Sequence, residues 1–569
     1  MAKREAEDLL DPELLASVFE ERAEHLSKEE LTAWTQETPR AKEIIAKLKG
    51  PGAKLLSGPR GCGKSTYLRK AYFDLLESGD TLSIYINYAR SLALEPMFHH
   101  RADAIQVFRQ WVLAKIVVGT IKTFTTMAKA IPKDLEAFGD NAERLIHDLE
   151  VGILEALPAD ALTPSGLLQL LEAWTREHGF RRCVLFMDDA AHAFSPDQQR
   201  EFFEIFRSLR SRVVAAKAAV YPGITSYSPN FHVGHEAELV EAWHPADDPS
   251  YAQTMRAMAK RRLPGTLYRQ LASKIELIDY LALASFGIPR GFLNMLQQLL
   301  SVEEGEITSR ATRSLADAAV KSHAESVRGI FVALKSKLPR FKHFITVGLD
   351  VERAMAASLR TFNHDRDLTS KATVVAILEP IEKELERIIS LLEYAGLLRT
   401  LDKVSRGEKG TFRRYSLHYA IVLVENSLSL GKSNSVENSV VALSKRDAHA
   451  FVRVRSLGLL GEDFKERCRL ELPPCQKCNS SRLSEDQRFC MKCGAQLADT
   501  SVYRDLINAP IRRLPLTSRK IDDLIRYTSI KTVQDILLDE DLQQIRSVPY
   551  VGPVWAARIR NAAEEYVSV

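Results

Sequence analysis

The stretch Gly58-Pro59-Arg60-Gly61-Cys62-Gly63-Lys64-Ser65, followed by Thr66, decides how this chain begins to fold. It matches the pattern G-x-x-x-x-G-K-[ST] in full. A short apolar run over 53–56 predicts a strand before it, and 66–76 predicts a helix after it. Glycines let the backbone turn so that N–H groups face phosphate oxygens, and the helix N-terminus adds partial positive charge. The stretch therefore predicts a phosphate-binding loop between a strand and a helix.

This loop predicts an ATP site that uses Mg²⁺. We expect Lys64 to reach the β- and γ-phosphates and the Ser65 hydroxyl to ligate the metal ion. The predicted nucleotide contacts are Gly58, Pro59, Arg60, Gly61, Cys62, Gly63, Lys64, Ser65, Thr66 and Asp188.

A second apolar run, 183–187, delivers Asp188 and Asp189 at its carboxyl end. Ligands of open α/β sheets bind at that edge, so this pattern is typical of a Walker B strand. We expect Asp188 to hold Mg²⁺ together with Ser65. Asp189 is the predicted catalytic residue that orients the attacking water, beside Lys64.

Composition places the chain among ordered, multidomain proteins. Its 569 residues suffice for several domains, and 45% hydrophobic residues support real cores. The net charge of +4 is small for this length, so any nucleic-acid surface must be local. We see no apolar leader at Met1–Asp8 and no run of 18 apolar residues, and seven cysteines are few for a secreted scaffold. These features predict a cytoplasmic protein with no membrane span.

The segment Gly287-Ile288-Pro289-Arg290 lies between two predicted helices. A helix, then G-x-P-R, then an apolar helix resembles the sensor 2 element in the lid of AAA+ ATPases, in the branch of the origin-recognition initiators. The resemblance implies that Arg290 reaches the γ-phosphate as a catalytic residue. It covers about 15–425 and implies a P-loop AAA+ parallel-sheet core, a helical lid and a winged helix.

Two departures from that family bear on catalysis. The family uses Asp-Glu where this chain has Asp188-Asp189, and aspartate is one methylene shorter, so we expect slow hydrolysis. Thr225 is a weak candidate for the polar sensor 1 residue after the fourth strand. An acidic pair with a later Gly-x-Pro also resembles the STAND signalling ATPases, which remain an alternative.

The resemblance also implies an arginine finger supplied by a neighbouring subunit of a homo-oligomer. Three candidates lie at the end of the predicted helix after the Walker B strand, and three lie at the start of the predicted lid. They are Arg207, Arg210, Arg212, Arg256, Arg261 and Arg262.

Basic residues concentrate in a predicted hairpin that follows an amphipathic helix over 385–394. Between Leu397 and Tyr415 there are six basic and two acidic residues. The basic ones are Arg399, Lys403, Arg406, Lys409, Arg413 and Arg414. A helix followed by a basic hairpin predicts a winged helix, and the local charge suits double-stranded DNA phosphates. A winged helix that binds protein stays open.

Two CxxC pairs near the C-terminus have metal-ligand spacing. Cys475 and Cys478 are separated by eleven residues from Cys490 and Cys493. Four thiolates form the closed tetrahedral cage of a structural zinc ion, with no open position for catalysis. We therefore predict a zinc ribbon that binds Zn²⁺.

The last segment, 501–569, predicts a small all-α module. Its Val551-Gly552-Pro553 turn before a final helix resembles the helix-hairpin-helix C-terminal domain of the RNA polymerase alpha subunit. That resemblance implies contact with a DNA phosphate. Because ten basic and nine acidic residues nearly balance, a protein partner for this module stays open.

The chain is thus predicted to be a multidomain α/β protein with seven segments. These are an N-terminal helical lead-in (1–50), a P-loop ATPase core (51–240), a helical lid (241–335), a winged helix (336–430), a linker (431–470), a zinc ribbon (471–500) and a helix-hairpin-helix domain (501–569). The favoured function is an ATP-dependent, DNA-binding, initiator-like ATPase, in replication, a mobile element or defence against phage. A STAND-like switch with a protein partner and a nucleotide-binding scaffold without turnover are the alternatives.

Overall fold

The structure is a computed structural model. It describes residues 26–35, 38–89, 94–97, 101, 103–150, 161–189, 196–303, 306–444, 450–483, 487, 489–497, 502–539 and 541–567. Residues 1–25 of the predicted lead-in lie outside this range.

A five-stranded parallel sheet forms the centre of the predicted ATPase core, in the order β2-β3-β4-β1-β5. Its strands are β1 (Lys54–Ser57), β2 (Thr81–Asn87), β3 (Arg182–Asp188), β4 (Val214–Val220) and β5 (Glu238–Glu241). The first four correspond to the apolar runs 53–56, 82–86, 183–187 and 213–221, which the sequence predicts as strands. The strand β5 was missed because three of its four side chains are exposed, so it carries no apolar run. The sheet with its flanking helices confirms the predicted α/β class with a parallel-sheet core.

The helices of the core form layers on both faces of this sheet, most of them in direct contact with it and the first and fifth packed on neighbouring helices. They are α1 (Lys28–Trp34), α2 (Pro39–Lys49), α3 (Lys64–Ser78), α4 (Ala104–Thr126), α5 (Lys133–Glu150), α6 (Pro164–Glu177) and α7 (Pro196–Ser208). By length and composition α4 is apolar enough to cross a membrane, but 61% of its apolar window is buried inside the protein. Trp111 and Val112 of α4 are fully buried against the sheet, as expected of a core helix.

The lid follows the core and contains more than helices. Its helices are α8 (Tyr251–Arg262), α9 (Gly265–Ala272), α10 (Ile275–Ala284), α11 (Pro289–Gln297) and α12 (Arg313–Lys337). Between α11 and α12 the chain forms an antiparallel hairpin of β6 (Leu300–Glu303) and β7 (Glu306–Ser309). The lid predicted as helical over 241–335 therefore also contains two strands. The sequence analysis missed them because four-residue strands leave little periodicity to detect.

The segment predicted as a winged helix has a helix-strand-helix-hairpin order. It contains α13 (Lys342–Asn363), β8 (Val374–Leu378), α14 (Lys383–Tyr394), β9 (Leu398–Ser405), β10 (Thr411–Leu417) and α15 (Tyr419–Val424). The strands β9 and β10 pair antiparallel, and β10 pairs with β8. We call 342–467 the wing domain and β9–β10 the wing hairpin.

The predicted linker over 431–470 is instead part of the wing domain. It contains α16 (Val436–Ser444), β11 (Val452–Val454), α17 (Ser456–Leu460) and α18 (Phe464–Arg467). The strand β11 adds to the edge of the wing sheet beside β8, and α16 packs on the lid helix α10. The polar, serine-rich run 427–444 predicted a linker, but apolar residues of α16 within it are buried against the lid, including Val436 and Leu443.

The C-terminal module (502–567) contains five helices. They are α19 (Val502–Ile507), α20 (Ser518–Tyr527), α21 (Val533–Leu538), α22 (Gln543–Arg546) and α23 (Pro553–Val567). In the turn before α23 the left-handed residue is Tyr550 (φ 61°), two positions before Gly552. The module packs against the lid, with α19 on α12.

Two buried histidines lie where the lid meets the wing domain. The rings of His323, on α12, and His418, just before α15, are 5.2 Å apart. Burial lowers the pKa of His323 to about 4. Burial and the neighbouring His323 lower the pKa of His418 well below its ordinary value. Both rings are therefore neutral in the folded protein near pH 7.

We predict that acid weakens the contact between lid and wing domain. A histidine with a lowered folded pKa stabilises the protein above its unfolded pKa, and that stability is lost as pH falls from about 6.5 towards about 4. For His323 alone the loss between pH 7 and pH 5 is about 2 kcal/mol. Thermal unfolding across this range should give a steeper fall for the native chain than for His323→Phe. Equal slopes would contradict the prediction.

Candidate functional site

The loop 58–65 has the geometry that phosphate binding requires. Gly61 (φ 82°) and Gly63 (φ 95°) both have left-handed backbones, and Gly63 caps the 15-residue helix α3. These turns bring successive N–H groups and the helix N-terminus to one concave surface. The predicted strand, loop and helix are therefore in register, and the loop residues fit a chain of phosphates.

Lys64 lies inside this site, where its side chain is only 6% exposed. Its ammonium donates to the carbonyl oxygens of Gly58 (2.7 Å) and Pro59 (3.1 Å). It also lies 3.8 Å from the centre of the Tyr221 ring. Burial lowers the pKa of Lys64, while nearby negative charges, including Asp188 and Asp189, oppose that shift. The lysine and both acids thus share one site.

The acidic pair lies at the carboxyl end of β3, as predicted. Asp188 is 1% exposed and accepts hydrogen bonds from the Tyr85 hydroxyl (2.7 Å) and from the N–H of Asp189 (3.0 Å). Asp189 has a left-handed backbone (φ 51°), which is uncommon for a residue with a Cβ. The Asp188 carboxylate is buried and held by two hydrogen bonds, which suits a Mg²⁺ ligand. The left-handed backbone at Asp189 orients its side chain separately from that of Asp188.

Tyr221 is a site residue that the sequence analysis missed. It follows β4 directly, and its hydroxyl donates to Asp189 Oδ1 at 3.1 Å. Thr225, the weak sensor 1 candidate, instead bonds the backbone of Tyr221 through its own hydroxyl. A polar group immediately after a buried strand was the available signal, but tyrosine is so often a core residue that it did not stand out.

Arg290 lies directly against the phosphate-binding loop. Its N–H donates to the Gly61 carbonyl at 3.4 Å, and its guanidinium lies 3.1 Å from the Glu565 carboxylate of α23. A Cβ on Gly61 would lie 3.0 Å from the Cβ of Arg290 and 3.1 Å from Ile288. The lid therefore approaches the loop at a distance that glycine alone permits.

Five of the six arginine-finger candidates have partners inside this chain. Arg207 pairs with Glu204, Arg210 with Glu236 and Arg256 with Asp279. Arg261 donates to the Thr35 carbonyl, and Arg262 stacks on Trp34. The sixth candidate, Arg212, is exposed at the end of the loop before β4.

Most basic residues of the wing hairpin have partners within the protein. Arg399 is buried and pairs with Glu241 of β5, which joins the wing domain to the core. Arg413 pairs with Glu379 and Glu386, and Lys403 also reaches Glu379. Arg414 donates to the Asp402 carbonyl. The local charge surplus is therefore smaller at the surface than the sequence implied.

The strand β11 adds cations that the sequence analysis did not connect with the wing. Arg406 of the hairpin and Arg453 of β11 both stack on the ring of Phe451. Lys403, Lys409 and Arg453 are exposed. We call Lys403, Arg406, Lys409 and Arg453 the wing cations.

The four predicted metal ligands come together. The sulfur atoms of Cys475, Cys478, Cys490 and Cys493 all lie within 4.8 Å of one another. Cys475–Cys493 and Cys478–Cys490 are 3.6 and 3.5 Å apart. Zn–S bonds of ~2.3 Å in a tetrahedron place sulfurs about 3.8 Å apart, so the donor set fits Zn²⁺.

The two CxxC knuckles have the same backbone design. Asn479 and Gly494 each follow the second cysteine of a pair and are left-handed, with φ 55° and 68°. Each donates its N–H to the carbonyl of the first cysteine. Hydrogen bonds from Ser480 and from backbone N–H groups lower the pKa of Cys490 to about 6. Both knuckles therefore turn toward a shared centre.

No protein-family model and no curated protein matches the chain. Among solved structures, it is similar to the Orc1 protein of Aeropyrum pernix in complex with DNA, at 17% identity over 73% of this chain and 96% of that one (TM-score 0.30). It is also similar to Cdc6p of Pyrobaculum aerophilum, at 15% identity over 73% and 96% (TM-score 0.27). A third is the Orc2 protein of Aeropyrum pernix in ADPNP-ADP complexes, at 12% identity over 74% and 98% (TM-score 0.30). At these TM-scores the similarity assigns no activity or partner to this chain.

We predict one structural zinc ion per chain at the four cysteines. Metal binding should supply much of the folding free energy of the ribbon, because two knuckles enclose little apolar core. Elemental analysis of protein purified without chelator should give about one zinc. Cys490→Ser should lose it and make 471–497 sensitive to protease, whereas the control Cys468→Ala should keep it. Metal-free native protein, purified under reducing conditions, would contradict the site.

Proposed function

We propose that this chain is an ATP-dependent, DNA-binding ATPase of the AAA+ type that resembles the origin-recognition initiators. The observation that carries the proposal is the convergence of Lys64, Asp188, Asp189 and Arg290 on one phosphate-binding loop. We further propose a cytoplasmic setting.

In this proposal each residue of the site has a defined task. The loop N–H groups and Lys64 bind the phosphates, with the Lys64 ammonium exchanging the Gly58 and Pro59 carbonyls for phosphate oxygens. Ser65 and Asp188 hold Mg²⁺, which when bound neutralises charge on the phosphates. Asp189 accepts a hydrogen bond from the attacking water, and Tyr221 positions Asp189.

Turnover in this site should be slow. Asp189 is shorter than the glutamate usual in the resembling family, and its Oδ1 is already engaged by Tyr221.

The exposed Arg212 is the candidate finger for a neighbouring subunit of a homo-oligomer, since the other candidates are engaged within the chain. Assembly would thus raise the rate by completing the site.

The wing domain is the proposed surface for double-stranded DNA. It is bonded to the core through Arg399 and Glu241, so nucleotide-driven movement of the core would carry the wing with it. The wing cations offer positive charge for phosphates, with Arg406 and Arg453 positioned by the Phe451 ring. The zinc ribbon and the C-terminal module, with its helix-hairpin-helix resemblance, would add to recognition.

A STAND-like switch is the second candidate. One observation favours it: the last helix, α23, contacts the phosphate-binding loop through Glu565. In that case nucleotide would release the C-terminal module to bind a protein. A chain that binds ATP but binds no DNA at low salt would favour this candidate.

We predict that Asp189→Asn and Tyr221→Phe separate binding from turnover. Neither change touches the predicted phosphate contacts, so the Kd for ATP should stay within about threefold in both. Asp189→Asn should lower hydrolysis by about 100-fold or more from a native rate well below ~10 s⁻¹. Tyr221→Phe should lower it less, because the ring still covers Lys64. Phosphate release and calorimetric titration measure the two effects, with Lys64→Ala as the variant that loses binding. A native hydrolysis rate retained by Asp189→Asn would contradict the role of this acid.

We predict that DNA affinity depends on the wing cations. Replacing Lys403, Arg406, Lys409 and Arg453 by alanine should weaken binding to duplexes of any sequence. It should also flatten the slope of log Kd against log salt by about 3, with ATP binding unchanged. The matched control replaces four exposed cations of the core, Lys122, Lys133, Arg144 and Arg181. Fluorescence anisotropy with ATP, without ATP and with Lys64→Ala measures the coupling. Equal affinity of the wing variant and the native chain at every salt concentration would place the DNA surface elsewhere.

A further inference from the structure

The last helix of the chain ends at the phosphate-binding loop. Glu565, on α23, lies with Oε1 at 3.1 Å from Arg290 and 3.8 Å from Arg60. Its backbone carbonyl accepts a hydrogen bond from the Lys337 ammonium at 3.2 Å. One helix of the C-terminal module thus contacts three basic side chains from two other parts of the chain.

Two of these side chains, those of Arg60 and Arg290, lie at the phosphate-binding loop. Arg60 is a residue of the loop itself, and Arg290 donates its N–H to Gly61, the next residue. Burial acts against the charge of Arg60, but Glu565 and Asp189 are among the negative groups that raise its pKa overall. Arg60 therefore interacts electrostatically with both Asp189 and Glu565 of α23.

The Glu565 carboxylate binds these arginines through the same kind of hydrogen-bonded ion pair that a phosphate would form. A guanidinium binds carboxylate and phosphate oxygens with the same planar donors, and a triphosphate carries more negative charge than one carboxylate. The contact is also only partly dehydrated, since the Glu565 side chain is 36% exposed and those of Arg60 and Arg290 are 23% exposed. A partly exposed pair of this kind is weak enough for a ligand to replace.

We infer that Glu565 is an internal competitor of the terminal phosphate, so that ATP displaces α23 from Arg60 and Arg290 and frees the C-terminal module. The inference rests on the proposed nucleotide site and adds the residue that couples this site to the module. ADP displaces the helix less well, because it lacks the phosphate that meets Arg290.

The freed module has a surface suited to a polyanion. Tyr550 is 91% exposed at the turn before α23, and Lys520 and Arg558 both stack on the Trp555 ring. Basic groups beside aromatic rings suit nucleic-acid phosphates and bases. Displacement of α23 changes how this surface is presented, because Trp555 and Arg558 are on the same helix as Glu565.

The test compares Glu565→Gln, which keeps the size of the side chain, with Glu565→Lys and the control Glu564→Gln. Glu564 is the neighbouring acid and pairs with Arg560 of the same helix. Calorimetric titration of the full-length chain with ATP and Mg²⁺ should give a Kd lowered about fivefold or more by Glu565→Gln, and further by Glu565→Lys. The gain should be smaller for ADP, and Glu564→Gln should match the native chain.

Hydrogen exchange supplies the reciprocal measurement. Because coupling between two sites is mutual, ATP should weaken the docking of α23 and thereby raise amide exchange over 553–567. Native-like ATP affinity in both Glu565 variants, with exchange over 553–567 unchanged by ATP, would overturn the inference and leave ATP binding intact. Absence of ATP binding to the native chain and to both variants would overturn the proposed function itself.

Discussion

The close approach of the lid to the phosphate-binding loop is the constraint on which the rest of the molecule depends. The Arg290 N–H donates to the Gly61 carbonyl, and a Cβ at position 61 would lie only 3.0 Å from the Cβ of Arg290, which favours glycine there. The wing domain closes on the same region, because a Cβ on Gly223, after β4, would overlap the Ser390 carbonyl of α14. Core, lid and wing domain therefore meet around one loop, and a ligand of that loop acts on all three.

Burial gives the site its electrostatic character. Lys64, Asp188 and Tyr221 are each at most 6% exposed, so their charges and hydroxyls are solvated by one another and by backbone carbonyls. Burial lowers the pKa of Lys64, and the two aspartates oppose it. Such a cluster is stable only with matched partners, and a phosphate chain with Mg²⁺ is a partner of the required charge.

Ion pairs outside the site hold the wing domain to the core and to the lid. Arg399 ties the wing domain to β5, and Arg328 pairs with both Glu352 and Glu425 between α12, α13 and the end of α15. The cations left at the surface of the wing are fewer and lie partly on β11. The proposed DNA surface therefore depends on strand pairing. Because β11 pairs with β8, Arg453 lies beside the wing hairpin, over the Phe412 ring of β10.

The amino-acid sequence alone determined the loop 58–65, the strand that carries Asp188 and Asp189, and the four cysteines. Each of these depends on local spacing, which fixes backbone turns and ligand positions with little help from distant residues. Tertiary structure alone decided that Tyr221 contacts Asp189, that 431–470 joins the wing domain, and that Glu565 meets Arg60 and Arg290. These contacts join residues from 32 to 505 positions apart, and no local pattern encodes them, because they arise only when separately folded surfaces pack together.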